Sequence, residues 1–108
     1  RTRNKVKDGK SVVGQTLNDK KIYEIAKSLL EKLDYQGACN IQLFNDNNLN
    51  IIEINPRMSA GGLLLSCEAG LNIPELMLLD YFNYDLPAIG MPLKPITMIR
   101  YLDEKFIR

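Results

Sequence analysis

The stretch "IIEINPRMSAGG", residues 51–62, decides how this chain is read. An isoleucine-rich run suited to a strand is interrupted by Glu53 and Asn55, stops at Pro56, and passes through Arg57 into a loop of small residues. A carboxylate, an amide and a guanidinium thus stand close together at the end of a segment that otherwise belongs in a core.

Working outward, "ACNIQLF" and the turn cluster "NDNN" precede this run, so Ala38 to Asn55 is expected to form a β-hairpin. In an antiparallel hairpin with an even number of loop residues, facing positions have numbers that sum to an odd value, and side chains alternate along each strand. Gln42 therefore shares a face with Asn40, Glu53 and Asn55, with Phe44, Leu49 and Ile51 toward the turn. The other face receives Cys39, Ile41, Leu43, Ile52 and Ile54, an apolar set suited to packing against a helix. A wet sheet face usually carries Thr, Lys and Glu. Here acceptor-bearing side chains sit beside apolar ones with no lysine among them, which suits the lining of a cleft. Side-chain oxygens of Glu, Asn and Gln are hard ligands fit for Mg2+, which keeps several waters and shares substrate phosphates. A solvated sheet face that ends in a turn at Asn55-Pro56-Arg57 would use the same residues.

Beyond Pro56, Arg57 and the backbone N–H groups of Ser59, Ala60, Gly61 and Gly62 lead toward a helix start, a combination that can hold an anion. Glycines let a ligand approach the backbone closely. Such loops are commonly no more than turns. Next to the carboxylate and its amides, this one makes a metal beside an anion, the layout of phosphoryl transfer.

The flanks read coherently. "RTRNKVKDGKSVVG" places Arg1, Arg3, Lys5 and Lys7 at period two, four cations on one face if extended, with a turn at Asp8-Gly9 and a return strand at Val12-Val13. "NDKKIYEIAKSLLEKL" spaces Ile22, Ile25, Ala26, Leu29, Leu30 and Leu33 as one helical face; Asn18 is expected to cap it and Gly37 to end it. "LLLSCEAG" predicts a short apolar helix stopped at Gly70. "NIPELMLLDYF" predicts a second, with Asn72 and Glu75 in capping-box spacing and Pro74 in its first turn. Gly90, Pro92 and Pro95 mark a loop before a last strand, "ITMIRYL".

Composition narrows the chemistry. The 108 residues suit one domain with its own core, and a net charge of +1 with 45% hydrophobic residues is ordinary for a soluble globular protein. The absence of histidine excludes Ser-His and Cys-His triads and His-based zinc sites. Cys39 and Cys67 lack metal-like spacing and are expected to be small buried hydrophobes. No run long enough to span a membrane and no signal-peptide pattern occurs, so a cytoplasmic location is expected. The basic arm lacks stacking aromatics, so no nucleic-acid partner is expected. Because the chain opens on Arg1 directly into patterned sequence, it is expected to be a fragment of a longer protein.

Through "GACNIQLF" and "IIEINPRMSAGG", with "KSVVGQT" and "AGLNIPEL" around them in order, the chain resembles the ATP-grasp superfamily. The likeness is to the C-terminal lobe of its carbamoyl-phosphate-synthase-like branch, and it spans roughly Lys10 to Phe82. It implies an α+β fold, an antiparallel sheet with helices on one face, with residues 1–108 forming the C-terminal subdomain. It also implies an enzyme that holds ATP between two lobes and phosphorylates a small-molecule carboxylate, giving an acylphosphate that a nucleophile, usually an amine, attacks. By that resemblance Glu53 would bridge two Mg2+ ions, Asn55 would hold one of them and Gln42 would be a third ligand. Arg57 would stabilise the transferred phosphoryl group, and Ser59 to Gly62, with Ser59, Gly61 and Gly62 as contacts, would shape the acceptor site. An arginine-bearing segment ahead of "GKS" can face substrate in the family, which makes Arg1 and Arg3 anion contacts; the other use of that arm is a solvated edge strand whose charges discourage pairing. The family's adenine hinge and phosphate-facing lysines match nothing here, so the fragment alone is expected to be inactive without the rest of its parent. A carbamoyl-phosphate synthase large chain and a non-catalytic binding module on the same fold are the alternatives to a carboxylate-amine ligase.

Overall fold

Asp8 and Gly9 both adopt left-handed backbone, with φ of 49° and 73°, and this tight turn folds β1 (Thr2–Lys7) back onto β2 (Lys10–Gln15). The computed structural model describes residues 1–88 and 92–101. Within it follow α1 (Lys20–Lys32), β3 (Asn40–Leu43), β4 (Ile51–Asn55), α2 (Leu63–Glu68), α3 (Ile73–Tyr81) and β5 (Thr97–Ile99). The strands form two antiparallel sheets, one ordered β1-β2-β5 and one β3-β4, so the chain has the expected α+β class. Gly90 of the expected loop and Leu102 of the expected last strand lie outside the described residues.

The basic arm departs from simple alternation. Arg3 pairs with Gly14 but Lys5 pairs with Val13, with register shifts on either side of Lys5. Adjacent positions on β2 point to opposite faces, so Arg3 and Lys5 do too, and the expected single face of four cations is divided.

Helix α1 is capped by Asp19 and not by the expected Asn18. The Asp19 carboxylate accepts from the N–H groups of Lys21 at 2.9 Å and Ile22 at 3.2 Å. Asn18 instead ties down the later loop, donating to Leu93 O and accepting from Leu93 N, both at 2.9 Å. The helix ends at Lys32, short of Gly37, because Asp34 already takes a left-handed φ of 48°. Helices α2 and α3 follow their sequence signals. Gly70 turns the chain at φ 102° after α2, and Asn72 Oδ1 accepts from Glu75 N at 3.4 Å while its amide donates to Glu75 Oε2 at 2.8 Å.

Full burial of apolar side chains is confined, among the described residues, to Leu49, Leu65 and Ala69. The apolar face of α1 is half-buried at most, and Ile52, expected to pack beneath it, remains 53% exposed. Around α3 a broad apolar surface is open, with Leu78, Tyr81, Phe82, Tyr84 and Leu86 all exposed. Leu65 reaches the three-stranded sheet: a Cβ at Gly14 would lie 3.8 Å from Leu65 Cδ2 and 4.0 Å from Met98 Cε. Helix α2 therefore lies against the face of β2 that also carries Arg3.

Candidate active site

The hairpin register brings the expected ligands together. Asn40 pairs with Asn55, Ile41 with Ile54, and Gln42 with Glu53, so odd-sum pairing holds over the half of the hairpin away from its turn. Gln42 and Glu53 stand side by side on one face, and the Gln42 amide nitrogen donates to Glu53 Oε1. Asn55 Nδ2 donates to the same oxygen at 2.9 Å. Both bonds end on Oε1, which leaves the lone pairs of Oε2 to another partner.

Between Gln42 and Leu43 the register shifts, and Leu43 pairs with Ile51. This bulge corrects one expectation: Ile51 leaves the polar face and joins Lys20, Glu24, Ile25 and Leu29 around an open groove of about 800 Å³ beside α1. That groove lies on the side of the hairpin away from Glu53. Lys21, Ser28 and Lys32 also border it, so the ligand-like side chains and this lysine-rimmed hollow occupy different faces.

The two sheets meet through arginines. Arg3 Nη1 donates to Gln42 Oε1 at 2.6 Å, its Nη2 to Gly9 O at 2.8 Å and its Nε to Ser11 Oγ at 3.2 Å. With a guanidinium on its oxygen and a carboxylate on its nitrogen, the Gln42 amide has its orientation fixed by chemistry. Arg1 donates from Nη1 to Ser11 Oγ and from Nη2 to Ser59 Oγ, each at 2.9 Å. Ser11, 1% exposed, thus accepts from both arginines. A continuous chain of polar contacts runs from Asn55 through Glu53, Gln42, Arg3, Ser11 and Arg1 to Ser59.

Gly61 and Gly62 make room for it. A Cβ on Gly61 would come within 3.4 Å of Ser11 N, and one on Gly62 would overlap the Arg1 guanidinium. Burial first, then the neighbouring charges of Arg3 and Arg100, lower the pKa of Arg1. The amides of this loop are partly used internally: Gly62 N donates to Ser59 O at 3.4 Å and Leu63 N to the same oxygen at 3.1 Å. Arg57 stands apart, its Nη1 donating to Met58 O at 3.2 Å. Among the described residues no group of three or more His, Cys, Asp or Glu side chains converges. Ser11 and Arg100 were not singled out as site residues; "GKS" marked the right segment but not the burial of its serine.

A family profile described as "ATP-grasp in the biosynthetic pathway with Ter operon" matches residues 1–103, and the chain belongs to the ATP-grasp family. It is similar to the carbamoyl phosphate synthase large chain of Methanosphaerula palustris, 37% identical over 100 residues, covering 85% of this chain and 9% of that protein. The large chain of Thermoplasma acidophilum is 31% identical over 103 residues, covering 89% of this chain and 10% of that one. The chain thus spans about a tenth of the length of these curated relatives. No helix among the described residues is long and apolar enough to cross a membrane.

Proposed function

We propose that this chain is the C-terminal lobe of an ATP- and Mg2+-dependent carboxylate-amine ligase, acting with a nucleotide-holding lobe carried elsewhere in its parent. The observation that carries this is the register pairing of Gln42 with Glu53, with Asn55 bonded to the same carboxylate, in a chain of this family. In the reaction class, a carboxylate oxygen attacks the γ-phosphorus of ATP, ADP leaves, and an amine then displaces phosphate from the acyl carbon and loses a proton to solvent.

The donor set fits Mg2+. Glu53 Oε2 and the side-chain oxygen of Asn55 are hard ligands within one side chain of each other, and Gln42 Oε1 becomes a third if Arg3 releases it. When bound, Mg2+ would neutralise charge on the nucleotide phosphates. Glu53 supplies the negative charge that holds cations at this face. Gln42 and Asn55, by donating to Oε1, fix the carboxylate plane. Arg57, exposed and with its guanidinium bonded among the described residues to its neighbour's carbonyl, can swing onto the transferred phosphoryl group. The open apolar surface around α3 accords with further protein packing there in the parent. The similarity to carbamoyl phosphate synthase large chains favours one second reading, a piece of such a synthase.

Substituting Glu53→Gln in the parent tests the proposal. The shape is kept and the charge removed, so turnover is expected to fall by about two decades or more. Near-normal turnover would remove the catalytic role of this face.

A further inference from the structure

The groove beside α1 has no part in the chemistry at Glu53 and Arg57, yet its lining is patterned. Lys21, Ile25, Ser28 and Lys32 follow one another at four-, three- and four-residue spacing, so they form one stripe along the helix where it borders the groove. The middle of the stripe is apolar and small: Ile25 and its neighbour Leu29 are only half-buried, and Ser28 leaves room for another backbone to come close. The ends are basic. Lys20 and Lys21 stand at one and Lys32 at the other, with Lys20 and Lys32 about 18 Å apart along the helix axis.

The hairpin supplies the opposite wall. At the bulge between Gln42 and Leu43 regular pairing is given up, and Ile51 turns toward the helix, where it stays 40% exposed. An aliphatic side chain re-aimed into a hollow and left in water is a surface for an apolar occupant. The lysines, for their part, do little for the helix itself. Lys20 and Lys21 lie in the first turn, where the positive end of the helix dipole disfavours cations, and the acid beside them, Asp19, is turned onto the N–H groups of Lys21 and Ile22. Lys21 Nζ reaches over to Asn47 O at 3.4 Å, which holds this ammonium across the turn end of the groove.

We propose that the groove docks an acidic amphipathic helix of a partner protein, its apolar ridge on Ile25, Leu29 and Ile51 and carboxylates at its two ends on the lysines. The spacing of the charges selects this occupant. A fatty acid or other single-headed amphiphile places its charge at one end only, whereas a helix of about three to four turns spans both. A bilayer offers a flat face to a concave hollow. Ile51 and Glu53 are two residues apart, but the register shift puts them on different faces, so an occupied groove leaves the ligand face open. The docking rests on the groove alone and not on the ligase reading.

Titration of the 15N-labelled chain with a designed helical peptide of about fourteen residues tests this, the peptide carrying leucines at four- and three-residue spacing and glutamates in both end turns. Saturable shifts are expected at the amides of Lys21, Ile25, Leu29 and Ile51, with Gln42 and Glu53 unmoved. The same peptide with lysines in place of its glutamates is expected not to bind. Lys32→Gln is expected to weaken binding about threefold and Ile51→Ala about tenfold. Both change exposed side chains, and each serves alone if the other misfolds. Lys27→Gln makes the same change of charge on the other side of α1, beside Tyr23 and Leu30, and is expected to leave binding unchanged. No saturable binding, equal binding of the two peptides, or equal loss in Lys27→Gln and Lys32→Gln would overturn the proposal. Saturation of the same amides by decanoate or by phosphatidylglycerol vesicles, but not by the acidic peptide, would give the groove to a lipid and overturn it as well.

Discussion

Arg3 Nη1 and Gln42 Oε1 lie 2.6 Å apart, so a guanidinium occupies the oxygen that a metal would need from Gln42. Arg3→Gln frees that oxygen and removes a positive charge near Glu53. Mn2+ affinity of the chain, followed by paramagnetic broadening, is expected to rise about three- to tenfold at low salt and less at high salt. Unchanged affinity would show that Arg3 and the cation do not compete.

Gly62→Ala tests how Arg1 is held. The Gly62 backbone, at φ −138°, accepts any residue, but the added Cβ collides with a flexible side-chain end and not with backbone. Arg1 is expected to leave Ser59 with a stability change of about 1 kcal/mol or less. Loss of protected Arg1 Nη resonances, with thermal unfolding nearly unchanged, is the result to look for.

Arg57→Lys in the parent keeps the charge and loses the planar fork. If Arg57 acts on the migrating phosphoryl group, kcat falls while ATP affinity holds, since such a contact is strongest in the transition state. A variant that lost only nucleotide affinity would move Arg57 to docking.

Asp19→Ala is expected to destabilise the chain by about 1 kcal/mol through loss of the α1 cap, measurable by urea unfolding. Asn18→Ala should act elsewhere, releasing the backbone at Leu93, to which it makes both its bonds. Hydrogen exchange at the start of α1 separates the two.

Burial raises the pKa of the Cys39 thiol. The neutral form is therefore favoured in the folded chain, and iodoacetamide is expected to modify Cys39 more slowly than a free thiol near pH 8. The sign for stability follows: this contribution is full below the unfolded thiol pKa of about 8.5 and is lost as pH rises through the higher folded value.

The pairing of Gln42 with Glu53 was legible because alternation is a hard rule of antiparallel strands, and the capping of α3 because Asn72, Pro74 and Glu75 each have a local role. The fate of Ile51 was written less plainly. In "LNIIEIN" the doublet Ile51-Ile52 breaks apolar-polar alternation, the mark of a phase slip, yet a doublet also suits a strand buried on both faces. Asn18 and Asp19 are both good caps, and the choice turned on Leu93, seventy-five positions away. Ser11 gave no sign of burial, because its cover comes from Arg1, Arg3 and the loop at Gly61, contacts that no short window contains.

The bulge between Gln42 and Leu43 also separates two halves of one strand pair as a clutch separates two shafts. On the side toward Pro56, Glu53, Ile54 and Asn55 keep the phase that aims the ligands; on its turn side Ile51 follows another, with Ile52 the unpaired residue between them. Insertions or deletions in the "NDNN" turn can thus be absorbed at the bulge without rotating Glu53 off its face. The turn is where this lobe is free to vary in length while its chemistry stays aimed.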